Sequence, residues 1–181
     1  MVEKGKNIKM NEVDIKKWIC NKLNIQESYK LENLYNNSFA LNYLLVWTIF
    51  ERTNFDKFMQ VSKIKKFAKS KKYFIYELEN EFNNFYNRYK ISVEGNQKRK
   101  GLCNQEECDN SKCSYFNNCH FLKILKKSSN KITAEDKIYF LVYIIYRYRN
   151  NMFHGSKELE TWEDYREQIE ECINIMMKLS D

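Results

Sequence analysis

The stretch TAEDKIYFLVYIIYRYRNNMFHG, Thr133 to Gly155, decides the fold. Ile138, Leu141, Ile145 and Tyr148 recur at the three- and four-residue steps that line one face of an α-helix. Thr133-Ala134-Glu135-Asp136 has the form of a capping box with Asp in place of Glu. Gly155 can end the helix just after His154. The same period extends outward in both directions. Val13, Trp18, Ile19 and Leu23 mark a first helix from near Asn11. One or two helices follow from Ser28 to about Thr53, through Leu31, Leu34, Tyr35, Leu41, Leu44 and Leu45. Asn36-Asn37-Ser38 serves there as break and N-cap. Phe55, Phe58, Met59, Ile64 and Phe67 predict a further helix, and Phe74, Leu78, Phe82, Phe85 and Tyr89 another that ends before Gly95. A last helix opens at Thr161-Trp162-Glu163-Asp164 and runs through Tyr165, Ile169, Cys172, Ile173 and Met176.

Composition agrees with that reading. The 181 residues suffice for one full core, and 43% are apolar. Pro is absent and Gly occurs four times, which disfavours the turn-rich sandwiches and barrels and leaves an all-α fold. The 13 Tyr, 12 Phe and 3 Trp supply large areas to bury and argue against disorder. No apolar run is long enough to span a membrane, since Ala40 to Phe50 is broken by Asn42 and Thr48. The start, Met1-Val2-Glu3-Lys4, lacks the apolar core of a signal peptide, so a cytoplasmic location is expected. In a reducing compartment six Cys point to metal or chemistry more than to disulfides. A net charge of +7 suits a polyanionic partner such as nucleic acid, although an AT-biased codon usage would also enrich Lys.

Between the helical halves, 1–94 and 131–181, residues 95–130 read as an inserted module with little periodicity. Cys103, Cys108, Cys113 and Cys119 are spaced C-x4-C-x4-C-x5-C and match the ligand count of a tetrahedral structural zinc site. An iron–sulfur cluster, disulfides or unligated thiols are the other readings, and His120 could stand in for Cys119. Four protein ligands would leave no open position, so such a metal holds a fold and does no catalysis. Lys98, Arg99 and Lys100 before the cluster, and Lys123, Lys126 and Lys127 after it, form a basic frame that could hold RNA phosphates or merely keep a loop soluble. The run from Lys63 to Lys72, with six Lys, reads as an exposed helix face. Cys20 and Cys172 lie on apolar helical faces as core residues.

The chemistry-bearing stretch is Arg149-Asn150-Asn151-Met152-Phe153-His154 at the predicted helix end. Taken alone, Arg149 could be a surface ion-pair partner and His154 a cap favoured by the helix dipole. The hexapeptide resembles the Arg-x(4–6)-His signature of the HEPN superfamily, helical bundles that include many metal-independent ribonucleases. Leu44-Leu45-Val46-Trp47-Thr48-Ile49-Phe50-Glu51 is similar to an early HEPN helix that carries an acidic residue, here Glu51. The resemblance covers roughly residues 38 to 179 apart from the Cys segment. It implies a HEPN-like bundle with an inserted metal-binding loop, acting as a homodimeric endoribonuclease, a toxin or an anti-phage defence enzyme. Products would carry 2′,3′-cyclic phosphate and 5′-OH ends, and an antitoxin or regulatory protein is an implied partner. In that scheme His154 moves protons near neutrality and Arg149 offers a fork of donors to phosphate oxygens. Asn150 would bond substrate or His154, and Glu51 would orient Arg149. The alternatives are a non-catalytic HEPN module that binds a nucleotide or partner, and a zinc-stabilised nucleic-acid-binding regulator.

Overall fold

Thr133 and Asp136 close the expected capping box. The Asp136 N–H donates to Thr133 Oγ1 at 3.2 Å, and the Thr133 N–H donates back to Asp136 Oδ2 at 3.0 Å. The helix so started runs from Ala134 to Phe153. The computed structural model describes residues 15, 17, 18, 21, 39–56, 58–103, 119–153 and 165–181. Every regular element among them is helical: α1 (Phe39–Asn54), α2 (Val61–Lys71), α3 (Ile75–Tyr89), α4 (Val93–Cys103), α5 (His120–Leu125), α6 (Ala134–Phe153) and α7 (Arg166–Ser180). Two 3-10 turns, Lys72–Phe74 and Ser129–Lys131, join neighbours. The fold is all-α, and no helix among the described residues is long and apolar enough to cross a membrane.

Helix α6 is the axis of the bundle. Every residue from Ile138 to Ile145 is buried, so this stretch is enclosed on all sides instead of on one stripe. Helices α2, α3, α4, α5 and α7 all pack against it. Helix α1 reaches it through Tyr43, whose buried hydroxyl donates to the Ile145 carbonyl at 2.7 Å. Helices α3 and α6 run the same way: Lys137 pairs with Glu79, Phe82 meets Phe140, and Tyr89 meets Tyr148. Helix α7 runs against α3, since Asn174 and Lys178 both bond Glu81 while Asn84 bonds Glu171 nearer the other end. Helices α1 and α7 lie parallel along their length, with Arg166 over the Phe39 ring and Asn54 bonded to Ser180 at the far ends.

Several sequence expectations hold and others shift. Helix α1 begins one residue after Ser38, the expected cap, which itself lies outside the described residues. The first expected helix is described only at residues 15, 17, 18 and 21, all helical. On α1 the fully buried face is Tyr43, Val46, Trp47 and Phe50, whereas Leu41, Leu44 and Leu45 are half-buried. The segment is apolar on most sides, and only its neighbours decide which side faces inward. Helix α2 starts at Val61, so Phe55 and Met59 are buried in the connection before it, and Phe58 is exposed.

Gly95 lies inside α4 and not at a helix boundary. Ser92 caps that helix by accepting the Gly95 N–H at 3.0 Å. Both described ends of the 95–130 segment enter the common core: Leu102 and Cys103 on one side, and Cys119, Phe121, Leu122, Ile124 and Leu125 on the other.

Candidate functional site

Arg149 and Asn150 sit in the closing turns of α6, and His154 lies outside the described residues. The Arg149 side chain is half-buried. Its Nη1 donates to Asn150 Oδ1 at 3.3 Å, and its guanidinium lies 5.8 Å from the centre of the Trp47 ring. Helix α1 thus presents Tyr43 and Trp47, one turn apart, to the C-terminal half of α6. Burial pushes the Tyr43 phenol well above its usual pKa, opposed by the nearby positive charge of Arg149. Tyr43 therefore stays a neutral donor to the α6 backbone.

Glu51 falls on the same α1 row, one turn beyond Trp47. Its Oε1 accepts the Met59 N–H at 2.8 Å, which ties down the connection ahead of α2. The structure does not bring this carboxylate into ion-pair contact with Arg149. Asn151 turns away from Arg149, because positions two apart on a helix are rotated by about 200°. Its amide donates to the Leu102 carbonyl at 3.0 Å and to that of Gly101 at 3.4 Å. Arg147, one turn earlier, donates to Leu102 and Cys103 carbonyls at 3.2 and 2.7 Å. The pair closes the C-terminus of α4, whose last carbonyls have no partner within the helix.

Arg99 is the plainest correction to the basic-frame reading. It is 5% exposed, and its Nη1 donates to the Tyr89 and Lys90 carbonyls, each at 2.6 Å. A guanidinium at the C-terminus of α3 meets the negative end of that helix, not phosphate. Lys98 pairs with Glu94 and Lys127 with Asp136, which leaves Lys123 and Lys126 exposed and Lys100 half-buried as the remaining cations of the frame. Signals for the structural arginines were absent from the sequence, since nothing in a charge run distinguishes a buried carbonyl partner from a solvated one.

Of the four clustered cysteines, Cys108 and Cys113 lie outside the described residues. Cys103 ends α4 and Cys119 precedes α5. Both are buried, and both lie beside Tyr143 of α6, whose phenol is pushed far up by burial and then by these two sulfurs. Both described ends of the Cys segment thus reach the surroundings of Tyr143 in the common core. No group of three or more His, Cys, Asp or Glu gathers among the described residues. His120 is engaged elsewhere, with Nε2 3.2 Å from Asp136 Oδ1 and its ring edge-on to Tyr139. Burial lowers the His120 pKa against the opposing pull of Asp136. Cys172 is fully buried in the core, and Cys20 lies outside the described residues.

A cleft opens on the other side of the end of α6, lined by Arg88, Tyr89, Lys98, Tyr148, Asn151 and Tyr165 among others. Its water-accessible volume is about 30 Å³. The hydroxyls of Tyr89 and Tyr148 meet at 3.1 Å on its wall. No protein-family model, curated protein or solved structure matches the chain.

Proposed function

We propose that the chain is an endoribonuclease of the HEPN type, cleaving RNA as a homodimer to 2′,3′-cyclic phosphate and 5′-OH ends. The observation that carries the reading is the placement of Arg149 and Asn150 at the C-terminal end of the central helix, with Arg149 aligned by Asn150 and the Trp47 ring. In this scheme a base removes the substrate 2′-OH proton and the 2′-oxygen attacks phosphorus. The 5′-oxygen leaves with a proton from an acid. A single His154 serves poorly as both groups, so two chains each contribute one His154 and one Arg149 to a shared cleft. Arg149 supports the charge that gathers on phosphorus through its planar fork of donors. Asn150 positions that fork. Glu51 acts through the fold, because its carboxylate is held by the Met59 N–H. A toxin or anti-phage role, with an antitoxin or other regulatory partner, follows from the same resemblance.

Cys103, Cys108, Cys113 and Cys119 would hold a structural zinc. The convergence of Cys103 and Cys119 beside Tyr143 is compatible with one shared ion. Bound zinc would tie the ends of the 104–118 connection to the core and supply no reacting water. The same convergence also favours a second reading, a zinc-stabilised nucleic-acid-binding regulator without cleavage.

The test is cleavage of total RNA and tRNA by wild-type, Arg149→Ala and His154→Ala proteins in EDTA, with analysis of product ends. Cyclic phosphate ends that vanish in both variants are expected. Cleavage indifferent to His154→Ala would overturn the active site. RNA binding without cleavage, lost on chelation and retained in His154→Ala, would establish the regulator reading instead.

A further inference from the structure

Helix α2 carries Lys63, Lys65, Lys66, Lys69 and Lys71 with no Asp or Glu, and Lys72 follows directly. Its apolar side, Ile64, Phe67 and Ala68, is buried on the bundle, so Lys65, Lys66 and Lys69 face water. Lys63 is engaged, donating to the Asp56 and Phe58 carbonyls. None of Lys65, Lys66, Lys69 and Lys72 forms an ion pair among the described residues. Two large rings stand in the same run: Tyr73 is 71% exposed and Tyr76 is 87% exposed.

Lys71 leaves helical angles (φ −101°, ψ 10°), so α2 and α3 are two helices joined by the 3-10 turn and not one continuous helix. Lys65, Lys66 and Lys69 stand on the exposed side of α2, Lys72 and Tyr73 on the turn that follows, and Tyr76 in the first turn of α3. Lys72 Nζ lies over one face of the Tyr73 ring, 5.0 Å from its centre, and leaves the other face to solvent or a ligand. Burial would stabilise such rings, yet the fold leaves both out of its core. Cations without carboxylates, interleaved with open aromatic faces, match the chemistry of a polyanion whose flat bases are unpaired and free to stack.

We propose that the surface formed by Lys65, Lys66, Lys69, Lys72, Tyr73 and Tyr76 binds single-stranded RNA, with the lysines on phosphates and the tyrosines on bases. The surface argues for single strands; the choice of RNA rests on the ribonuclease reading above. It would capture substrate and select unpaired regions for cleavage.

The test is fluorescence anisotropy with a labelled 12-nucleotide single strand, using full-length His154→Ala protein so that the probe survives. Tyr76→Ala is expected to weaken binding roughly 5- to 100-fold, the range for losing one stacked base, and Tyr76→Phe to restore it. Replacing Lys65, Lys66 and Lys69 together by Gln is expected to reduce the salt slope of log K by up to about 2. A blunt duplex of equal length should bind without sensitivity to Tyr73 or Tyr76. The exposed positions leave the thermal midpoint unchanged, which circular dichroism checks. Unaltered affinity in both tyrosine variants and the triple-Lys variant would overturn the proposal. So would binding to phosphatidylserine vesicles in place of RNA, and a 2′-deoxy strand that binds equally would remove RNA as the specific ligand. Loss of cleavage chemistry with patch-dependent binding intact defeats only the ribonuclease reading, and His154-dependent cleavage indifferent to the patch defeats only this one.

Discussion

Removing the Arg99 guanidinium tests whether this residue belongs to the fold or to an RNA surface. Arg99→Met keeps the apolar stem and deletes two 2.6 Å bonds to the Tyr89 and Lys90 carbonyls, with a weaker 3.4 Å contact to Asn96. Hydrogen bonds to a charged donor contribute about 1.5–3 kcal/mol each. Those two carbonyls end α3 and have no helical partner, so at 5% exposure little water replaces the lost donor. Partial relaxation of the 90–92 connection offsets some of this, and a net loss of about 3 kcal/mol is expected. For a chain of this size, each kcal/mol moves the midpoint by roughly 2–4 °C, so Tm should fall by about 6–12 °C. Thermal and urea unfolding followed by circular dichroism read the change. Arg99→Lys, a point charge without the fork, should recover about half of it at most. RNA affinity, measured well below the lowered midpoint, should be unchanged. A loss under about 1 kcal/mol together with weakened RNA binding would refute the reasoning and return Arg99 to the phosphate-binding frame.

Three further outcomes follow from the packing. A Cβ at position 95 would lie 2.1 Å from the Lys90 carbonyl oxygen, so Gly95→Ala should cost about 2 kcal/mol in urea unfolding, and an unchanged midpoint would show that the α3–α4 connection yields freely. Asp136→Asn should cost about 1–2 kcal/mol near neutrality by weakening the α6 cap and its bond to Lys127. Burial pushes the Asp136 pKa up, but Lys127 and Thr133 outweigh it and hold the carboxyl below its ordinary value. Its contribution is thus complete above about pH 4 and lost as pH falls through the lowered pKa, and wild type and variant should converge towards pH 2 in unfolding experiments. Elemental analysis should find about one zinc per chain, and chelation or paired Cys108→Ser and Cys113→Ser substitution should lower Tm; visible absorption from iron and sulfide would replace zinc by a cluster.

The capping box was legible because its two partners are three residues apart and each side chain bonds the other's backbone N–H. Leu78, Phe82, Phe85 and Tyr89 were legible for a related reason: polar residues separate them, so one face of α3 is the only apolar one, and all four are buried. Helix α1 lacked that contrast. Its leucines and its aromatic residues compete for the interior, and the aromatic face won through contacts with residues about a hundred positions away, such as Tyr43 with Ile145. Helix α4 was hidden for the opposite reason: its buried side is made of Gly95, Arg99 and Leu102, which gives almost no apolar period.

The candidate site divides along the same line. Arg149 and Asn150 were readable as a helix end, but not the bond between them, since the sequence offered substrate or His154 as the partner of Asn150. Trp47 beside Arg149, Met59 holding Glu51, and Arg99 spent on carbonyls all join residues from separate turns or elements. By itself the sequence determined that the chain is helical, where α6 begins, and which segment carries the basic run, because period, caps and charge are local properties. Only the tertiary structure decided which cations stay in water. An arginine donor is buried when another helix end brings carbonyls to meet it, and a lysine remains outside when its helix turns an apolar side to the core.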